Sequence, residues 1–299
     1  MTLPIFLELV EMKAKTASVL PFLIGICYSY YYYHSIHVIF LLLFFVAMFL
    51  FNMFVDIWDN YNDYHKAVDS DYQENTNIIG RENLSLKMVS ILMYSMLILA
   101  GVLGLILCYF VGFPLLIMGV FCFAVGILYS FGPKPLSSLP LGEFFSGFTM
   151  GFMITLICVY INTNNVFTWD LPSLVRVLLI ALPNTVWIAN LMLANNLCDK
   201  EEDEKNHRYT IVHYLGTKTS LGIFVIANII AFVSIFLEYY FHLAPITILA
   251  SFLLIPFVVK QTKMLIDKQV KRETFSCAVR ILALGSFVQA LTYFIGIIF

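Results

Sequence analysis

Charged residues are scarce in this sequence, and their scarcity excludes most classes of soluble protein. Asp, Glu, Lys and Arg make up 12% of the 299 residues, whereas hydrophobic residues make up 61%. A soluble domain carries about 25% charged residues, so a packed core alone does not account for this composition. The sequence therefore predicts an integral membrane protein. A net charge of −2 without a basic patch argues against nucleic acid as a partner.

Other absences narrow the class further. The hydrophobic runs are continuous and do not alternate with a period of two, which excludes a β-barrel. The six cysteines form no Cys-x-x-Cys pair, so they imply no metal or redox site. Because no small-residue cleavage site follows the first hydrophobic run, we interpret that run as an uncleaved helix.

What the sequence has instead is nine apolar segments of the length that a membrane-spanning helix needs, about 20 residues. The segments are Thr16–Tyr33, Ile36–Trp58, Leu86–Val111, Phe113–Ser130, Glu143–Ile161, Leu174–Cys198, Leu221–Tyr240, Ala244–Lys260 and Ala278–Ile298. We therefore predict an all-α, multi-pass bundle of nine transmembrane helices that forms a single domain over residues 1–299. Pro183 is predicted to kink the sixth helix, with Asn184 bonding the freed backbone.

Lysines and arginines are distributed unevenly among the predicted loops. If the N-terminus is cytoplasmic, 16 of the 17 basic residues lie on the inner side, and only Arg176, at the outer end of the sixth segment, does not. Because basic loops stay on the cytoplasmic side, this orientation is favoured, and we expect the protein in the plasma membrane. Both acidic clusters, residues 56–71 and 199–204, then face the cytoplasm, and we expect the active site on that side.

Acidic residues gather where the second and sixth segments end. Each cluster begins with an asparagine four residues before an aspartate, and further aspartates follow at helical spacing. The two stripes consist of Asn52, Asp56, Asp59 and Asp63 in the first and of Asn195, Asp199 and Asp203 in the second. Asp69 and Asp71 follow no such stripe, and we interpret them as solvated loop residues.

Aligned carboxylates repel one another unless a cation compensates them, and no lysine lies on either stripe. Mg²⁺ prefers oxygen ligands and is commonly bound by one or two carboxylates together with substrate phosphates. The two stripes together therefore favour a site for an Mg²⁺-bound diphosphate. The alternative is that both are ordinary solvated helix ends.

The motifs resemble those of the UbiA-type membrane prenyltransferases, and within them most closely the 1,4-dihydroxy-2-naphthoate polyprenyltransferases of menaquinone synthesis. The stretch VDIWDNYND at 55–63 is similar to the first aspartate signature, and residues 195–210 are similar to the second. Residues 13–17, and YSFGPKPL at 129–136 followed by LGE at 141–143, resemble two further family features. The sequence departs from the family pattern at Ala14, Val55, Ser138 and His207.

The resemblance implies Mg²⁺-dependent transfer of a polyprenyl group from polyprenyl diphosphate to an aromatic acceptor. That acceptor would be 1,4-dihydroxy-2-naphthoate, and the product demethylmenaquinone. The implied catalytic residues are Asp56, Asp59, Asp199 and Asp203, and the implied metal residues are Asn52, Asp56, Asp59, Asp63, Asn195, Asp199 and Asp203. The implied diphosphate residues are Lys13, Arg81, Lys134, Lys205 and Arg208, and the implied acceptor residues are Glu143 and Tyr129. Arg81 also fits the role of a cytoplasmic membrane anchor.

Two other interpretations stay open from the sequence. A prenyltransferase of the same kind could use another acceptor, such as 4-hydroxybenzoate, homogentisate, a tetrapyrrole or a glycerol phosphate. A protein of another class, an ion-coupled transporter, would place charged residues near the middle of the bilayer. The acids of this sequence cluster instead at helix ends, which favours the enzyme.

Overall fold

A computed structural model of the protein describes residues 1–67 and 71–299. Asp69 lies outside the described residues. The described chain divides into two compact units. The first comprises Met1–Thr16 and Val38–Leu136, and the second Ala17–His37 and Ser137–Phe299. The single domain that the sequence predicts stays a prediction.

The described part of the chain is helical and contains no strand, which confirms the predicted all-α class. In chain order the α-helices are α1 (Leu3–Leu9), α2 (Thr16–Tyr33), α3 (Val38–Lys66), α4 (Ile78–Arg81), α5 (Leu86–Val111), α6 (Phe113–Ser130), α7 (Gly142–Ser146), α8 (Ile154–Thr163), α9 (Leu171–Cys198), α10 (Lys200–Lys205), α11 (Ile211–Tyr240), α12 (Ile255–Asp267) and α13 (Lys271–Ile298). Shorter 3-10 helices occupy Met12–Lys15, Leu136–Ser138 and Ile246–Leu254, and π-helical turns occupy Tyr72–Thr76 and Gly147–Met153.

Eight helical stretches of the described chain are long and apolar enough to cross a membrane. They are Val38–Lys66, Leu86–Val111, Phe113–Ser130, Gly142–Thr163, Leu171–Cys198, Ile211–Tyr240, Ile246–Asp267 and Lys271–Ile298. The first predicted segment does form a helix, Thr16–Tyr33, but its five tyrosines lower its hydropathy. A ninth spanning helix therefore stays a prediction.

In the first unit, helix α3 turns an apolar face toward the core. Phe54 and Ile57 are almost fully buried and pack with Ile79 of α4 and Met93 of α5. These positions alternate along α3 with the polar stripe, as the 3.6-residue period of an amphipathic helix requires. The core therefore fixes the rotation of α3, and with it the direction in which the aspartates point.

A single residue separates α5 from α6. Gly112 has φ 115° and ψ 175°, a conformation that residues with a Cβ rarely adopt. Pro114 follows in the first turn of α6, where the missing amide hydrogen costs nothing. This Gly-Phe-Pro turn accounts for the agreement between the predicted and observed helix ends.

In the second unit, side-chain hydrogen bonds connect α9 to the neighbouring helices α11 and α13. Asn190 donates to the carbonyl of Phe224 on α11 at 2.9 Å, and Ser234 of α11 donates to the carbonyl of Leu179 at 2.7 Å. The predicted contact of Asn184 was wrong, because its amide donates at 2.8 Å to the side chain of Gln289 on α13 rather than to freed backbone.

Helix α11 begins ten residues before the predicted segment and is interrupted near its start. Gly216 has φ 74° and ψ 161°, which are not helical angles. A kink at this residue therefore separates the first turn, which starts at Ile211, from the long apolar part of the helix. The hydropathy of the sequence marks only that apolar part, which explains the difference.

Candidate active site

The first acidic stripe lies on one unbroken helix. Because α3 continues to Lys66, Asn52, Asp56 and Asp59 all project from the same regular helix, as the spacing predicts. The three side chains are partly exposed, on the side away from the buried Ile57.

A lysine from the N-terminal segment reaches this stripe. Glu11, with φ 45°, lies two residues after the end of α1 and precedes the 3-10 helix Met12–Lys15, in which Lys15 is only 4% exposed. The ammonium donates to Asp56 Oδ2, to Asn52 Oδ1 at 3.4 Å and to the Asn52 carbonyl at 3.2 Å. Burial lowers the pKa of Lys15 to about 8, and the charge of Glu11 acts in the opposite direction.

Asp59 has a different partner. The hydroxyl of Ser130, the last residue of α6, donates to Asp59 Oδ1. Lys66 donates to the carbonyl of Ser130 at 3.0 Å, and the indole of Trp58 donates to the carbonyl of Ile127 at 3.1 Å. The ends of α3 and α6 are thus fixed together, which holds the Asp59 carboxylate in place. Asp63 lies one turn further along α3 and is partly exposed.

The second stripe crosses a bend between two helices. Helix α9 ends at Cys198, and Asp199 has φ −101° and ψ 8° before α10 begins. Hydrogen bonds of helical type continue across the bend, from the Asp199 amide to the Asn195 carbonyl at 3.0 Å and from the Asp203 amide to the Asp199 carbonyl at 2.8 Å. The predicted alignment of the three residues is therefore kept although the helix is not continuous.

A lysine also reaches the second stripe, and the sequence did not predict it. The ammonium of Lys271, the first residue of α13, donates both to Asn195 Oδ1 and to Asp199 Oδ2. In the sequence this lysine belongs to a basic stretch, KQVKR, that we interpreted only as a cytoplasmic loop. The high density of lysine and arginine in that stretch indicates that a basic side chain could contact the acidic stripe, but it does not identify Lys271 as that side chain.

Asp203 is the most buried acid of the second stripe. Arg208 Nε lies 3.3 Å from its Oδ1, while its buried Oδ2 has no hydrogen-bond partner within the described residues. Burial raises the pKa of Asp203 to about 6, and the charge of Arg208 partly opposes this rise. A buried carboxylate oxygen without a partner is costly, so this atom is suited to a ligand.

The other basic candidates lie in different surroundings. Arg81 donates to Glu8 at 2.6 Å and to Glu82 at 3.1 Å, and these hydrogen bonds raise the pKa of Arg81. Its charge is thus already compensated within the first unit. Lys13, Lys134 and Lys205 are exposed.

The two acceptor candidates belong to different units. Glu143, at the start of α7, is buried, and its Oε1 accepts a hydrogen bond from Asn196 at 2.7 Å. Its Oε2 is buried without a partner among the residues described. Tyr129 is the penultimate residue of α6 and is partly buried. Because Asn196 follows Asn195 directly, Glu143 is linked to the helix end that carries the second stripe.

The departures from the family pattern have local explanations. His207, which stands where glycine is usual, has φ 58°, in the left-handed region that glycine adopts without strain. Val55 is partly buried and packs against the apolar core of the first unit. The Ser138 carbonyl accepts a hydrogen bond from the Tyr209 amide at 3.1 Å.

The residues of both stripes fit a divalent cation. In each stripe an asparagine Oδ1 and an aspartate Oδ2 one turn apart converge on one positive charge, which is a lysine ammonium. These hard oxygen donors are those that Mg²⁺ prefers. Over the described ranges 1–67 and 71–299, however, no group of three or more His, Cys, Asp or Glu side chains is arranged to hold a metal alone.

Comparison with known proteins defines the class. Residues 18–288 match the UbiA prenyltransferase family, so the chain belongs to this family and is a multi-pass membrane prenyltransferase. Among characterised proteins it is similar to the 1,4-dihydroxy-2-naphthoate octaprenyltransferase of Bacillus subtilis (strain 168). The two are 27% identical over 229 residues, which cover 76% of this chain and 70% of the relative.

Solved structures show the same fold at low sequence identity. A UbiA homologue from Aeropyrum pernix K1 in its apo form has a TM-score of 0.72 and 16% identity, over 94% of this chain and 97% of that one. A UbiA homologue from Archaeoglobus fulgidus bound to GPP and Mg²⁺ has a TM-score of 0.65 and 12% identity, over 99% and 100% of the two chains. The UbiA-like fold predicted from the motifs is thereby confirmed.

Proposed function

We propose that this prenyltransferase transfers a polyprenyl group from polyprenyl diphosphate to 1,4-dihydroxy-2-naphthoate, in a reaction that requires Mg²⁺. The observation that carries the proposal is the matched pair of Asn-x-x-x-Asp motifs, each of which directs two oxygens at one cation. The naphthoate acceptor is supported by the relative from Bacillus subtilis. The Mg²⁺ requirement is supported by the homologue bound to GPP and Mg²⁺.

In the proposed reaction the bond between the allylic carbon and the diphosphate oxygen breaks, and the diphosphate leaves with the electron pair. The ring carbon of the naphthoate that bears the carboxylate forms the new carbon–carbon bond, and the carboxylate leaves as carbon dioxide, so that the electron pair of the broken bond restores the aromatic ring. The product is the quinol form of demethylmenaquinone. Negative charge develops on the departing oxygen, so preorganised positive groups beside it lower the barrier.

Metal ions would be held by the carboxylate and amide oxygens of the two stripes. The proposed metal residues are Asn52, Asp56, Asp59, Asp63, Asn195, Asp199 and Asp203, and four of them, Asp56, Asp59, Asp199 and Asp203, are the proposed catalytic residues. Bound Mg²⁺ supplies positive charge that stabilises the leaving diphosphate. Ser130 holds Asp59 in its position, and the helical hydrogen bonds from Asn195 to Asp203 hold the second stripe.

Basic side chains are proposed to bind the diphosphate oxygens directly. Arg208 has the strongest support, because it already lies 3.3 Å from Asp203 and presents several donors in a fixed geometry. Lys13, Lys134 and Lys205 are exposed and long enough to move to an anion. Arg81 would have to leave Glu8 and Glu82 to take part.

The acceptor is proposed to contact Glu143 and Tyr129. The buried Oε2 of Glu143 is suited to accept a hydrogen bond from a naphthoate hydroxyl. The aromatic ring of Tyr129 is suited to pack against the naphthalene ring. We also propose that residues 1–299 act as one domain in the plasma membrane, with nine spanning helices and with the N-terminus and active site on the cytoplasmic side.

The test uses membranes from a host that expresses the chain and from the same host without it. Labelled polyprenyl diphosphate is supplied with 1,4-dihydroxy-2-naphthoate or with 4-hydroxybenzoate, homogentisate, a tetrapyrrole or glycerol phosphate, each with Mg²⁺ or with a chelator. We expect a labelled prenylnaphthoquinol, with release of carbon dioxide, only where the naphthoate and Mg²⁺ are both present. A product formed with another acceptor alone would refute the naphthoate assignment, and a product that persists under chelation would refute the metal requirement.

A further inference from the structure

The two lysines that occupy the acidic stripes lie in different environments. Lys15 is 4% exposed, and it also donates to the main-chain carbonyl of Asn52, so its position is fixed by packing as well as by charge. Lys271 is 44% exposed; among the described residues it donates to side-chain oxygens of Asn195 and Asp199, and its ammonium lies 5.0 Å from the centre of the Phe275 ring. The first lysine is packed into its unit, whereas the second is already half in water and can move away without exposing a buried side chain.

The position of Lys271 in its helix is unfavourable for the helix itself. It is the first residue of α13, a 28-residue helix whose N-terminus already carries partial positive charge. Arg272 follows it and adds a second cation in the same turn. The hydrogen bonds that hold Lys271 at this end therefore come from the pair of oxygens on the second stripe, beside a contact with the Phe275 ring of its own helix.

These oxygens are the ones that the proposed function assigns to a divalent metal. An ammonium and a metal ion cannot occupy the same two oxygens, so binding of the metal must displace Lys271. An exposed ion pair of this kind is weak, which makes displacement easy. The released ammonium remains tethered beside the stripe, near the N-terminus of α13, where an anion is favoured.

We propose that Lys271 is a displaceable cation: it neutralises Asn195 and Asp199 until a divalent metal binds there, and it then binds the diphosphate. This inference rests on the proposed function, because it takes the second stripe as a metal site. Lys271 then has two successive partners, first the oxygens of Asn195 and Asp199 and then the diphosphate. Binding of the metal releases the ammonium from the first partner.

Lys268 provides a matched control. It lies three residues before Lys271, is 54% exposed, and donates to Glu273 at 2.6 and 2.7 Å instead of to the stripe. Replacing Lys268 with methionine removes one exposed lysine of the same loop without touching the metal oxygens. Lys268→Met therefore measures how much the loss of any one positive charge in this loop changes the binding of metal and diphosphate.

The experiment uses the full chain, purified in detergent, with the Asp56→Asn substitution so that binding is measured at the second stripe. Mn²⁺ serves as the probe, and its free and bound forms are separated by electron paramagnetic resonance. We expect Lys271→Met to bind Mn²⁺ about twofold to fivefold more tightly, because the competing ammonium is gone. At saturating Mn²⁺, inorganic diphosphate is expected to bind at least about fivefold more weakly to Lys271→Met. Lys271→Arg and Lys268→Met should differ little from the parent in either measurement.

An unchanged or weaker Mn²⁺ affinity in Lys271→Met would overturn the displacement, and unchanged diphosphate affinity would overturn the transfer to diphosphate. If the parent binds no Mn²⁺, the assignment of the second stripe as a metal site is refuted, and the displacement of Lys271 is refuted with it. If both binding shifts are found but no prenylnaphthoquinol forms in membranes, only the proposed acceptor is refuted. The two proposals therefore fail in distinguishable ways.

Discussion

Replacing Asp199 with alanine is expected to lower the rate of prenyl transfer about 1000-fold while leaving the fold intact. The carboxylate is a proposed metal ligand, and loss of one group that stabilises developing charge costs a factor of about 100 to 1000. Its partner Lys271 is exposed and can be solvated when Asp199 is removed. The rate is measured with labelled polyprenyl diphosphate and naphthoate, and the fold by thermal unfolding of the purified variant.

Asp56 requires a different substitution, because its partner is buried. Alanine would leave the Lys15 ammonium, 4% exposed, without its carboxylate and would destabilise the first unit. Asparagine retains an oxygen that accepts a hydrogen bond from Lys15, but it removes the negative charge that a metal ligand needs. We therefore expect Asp56→Asn to unfold at nearly the temperature of the parent and to be as inactive as Asp199→Ala.

Asp71 is the control for both variants. It lies outside the stripes, and its carboxylate accepts a hydrogen bond from Asn75 at 2.8 Å. Asp71→Ala should retain full activity, because it removes an acid of the same region without removing a proposed ligand. Activity of Asp199→Ala or Asp56→Asn within threefold of the parent would contradict the assignment of the stripes as metal sites.

Helix positions were predictable where the sequence carries both a hydrophobic run and a terminator. The segments Leu86–Val111 and Phe113–Ser130 coincide with α5 and α6, because Gly112 and Pro114 enforce the turn between them. The end of α3 was not predictable from hydropathy, since the apolar run stops near Trp58 whereas the helical hydrogen bonds continue to Lys66. Backbone hydrogen bonding does not depend on whether the side chains are apolar.

The oxygens of the candidate site were predictable, and the cations that meet them were not. Asn52 and Asp56 are one helical turn apart, so their alignment follows from local geometry alone. The lysine that meets Asp56 lies 41 residues away, and the one that meets Asp199 lies 72 residues away. Contacts at such separations depend on tertiary packing, which helix periodicity does not encode. No lysine lies on the helix faces that carry the stripes, as predicted. However, Lys15 and Lys271, which belong to other elements, contact the stripes through space.

Close packing against α9 is a second feature that the sequence analysis did not identify. Gly147 and Gly151, four residues apart in the π-helical turn, face the backbone of α9 at Thr185. A Cβ added to Gly151 would lie 2.5 Å from Thr185 Cα and 2.6 Å from its amide nitrogen. Small residues at this spacing let membrane helices approach closely, and the same α9 carries Asn195 of the second stripe.

Gly151→Ala is therefore expected to lower the free energy of unfolding by about 1–3 kcal/mol, because the added methyl group meets backbone that cannot rotate away. Gly151→Leu is expected to prevent folding. The matched control is Gly104→Ala on α5, where no described atom lies within 4 Å of the added Cβ. That variant should be neutral or slightly more stable, since alanine favours a helix by up to about 1 kcal/mol over glycine.

Thermal unfolding in detergent compares the two variants, and Mn²⁺ binding reports on the site. Thr185 lies ten residues before Asn195, about 15 Å along the helix axis, so a shift of α9 at Gly151 displaces the second stripe as a rigid element. We expect Gly151→Ala to weaken Mn²⁺ binding as well as stability, whereas Gly104→Ala changes neither. Equal stability of the two variants would show that α9 can move away from Gly151 without cost. The close approach would then not be what positions Asn195 and Asp199.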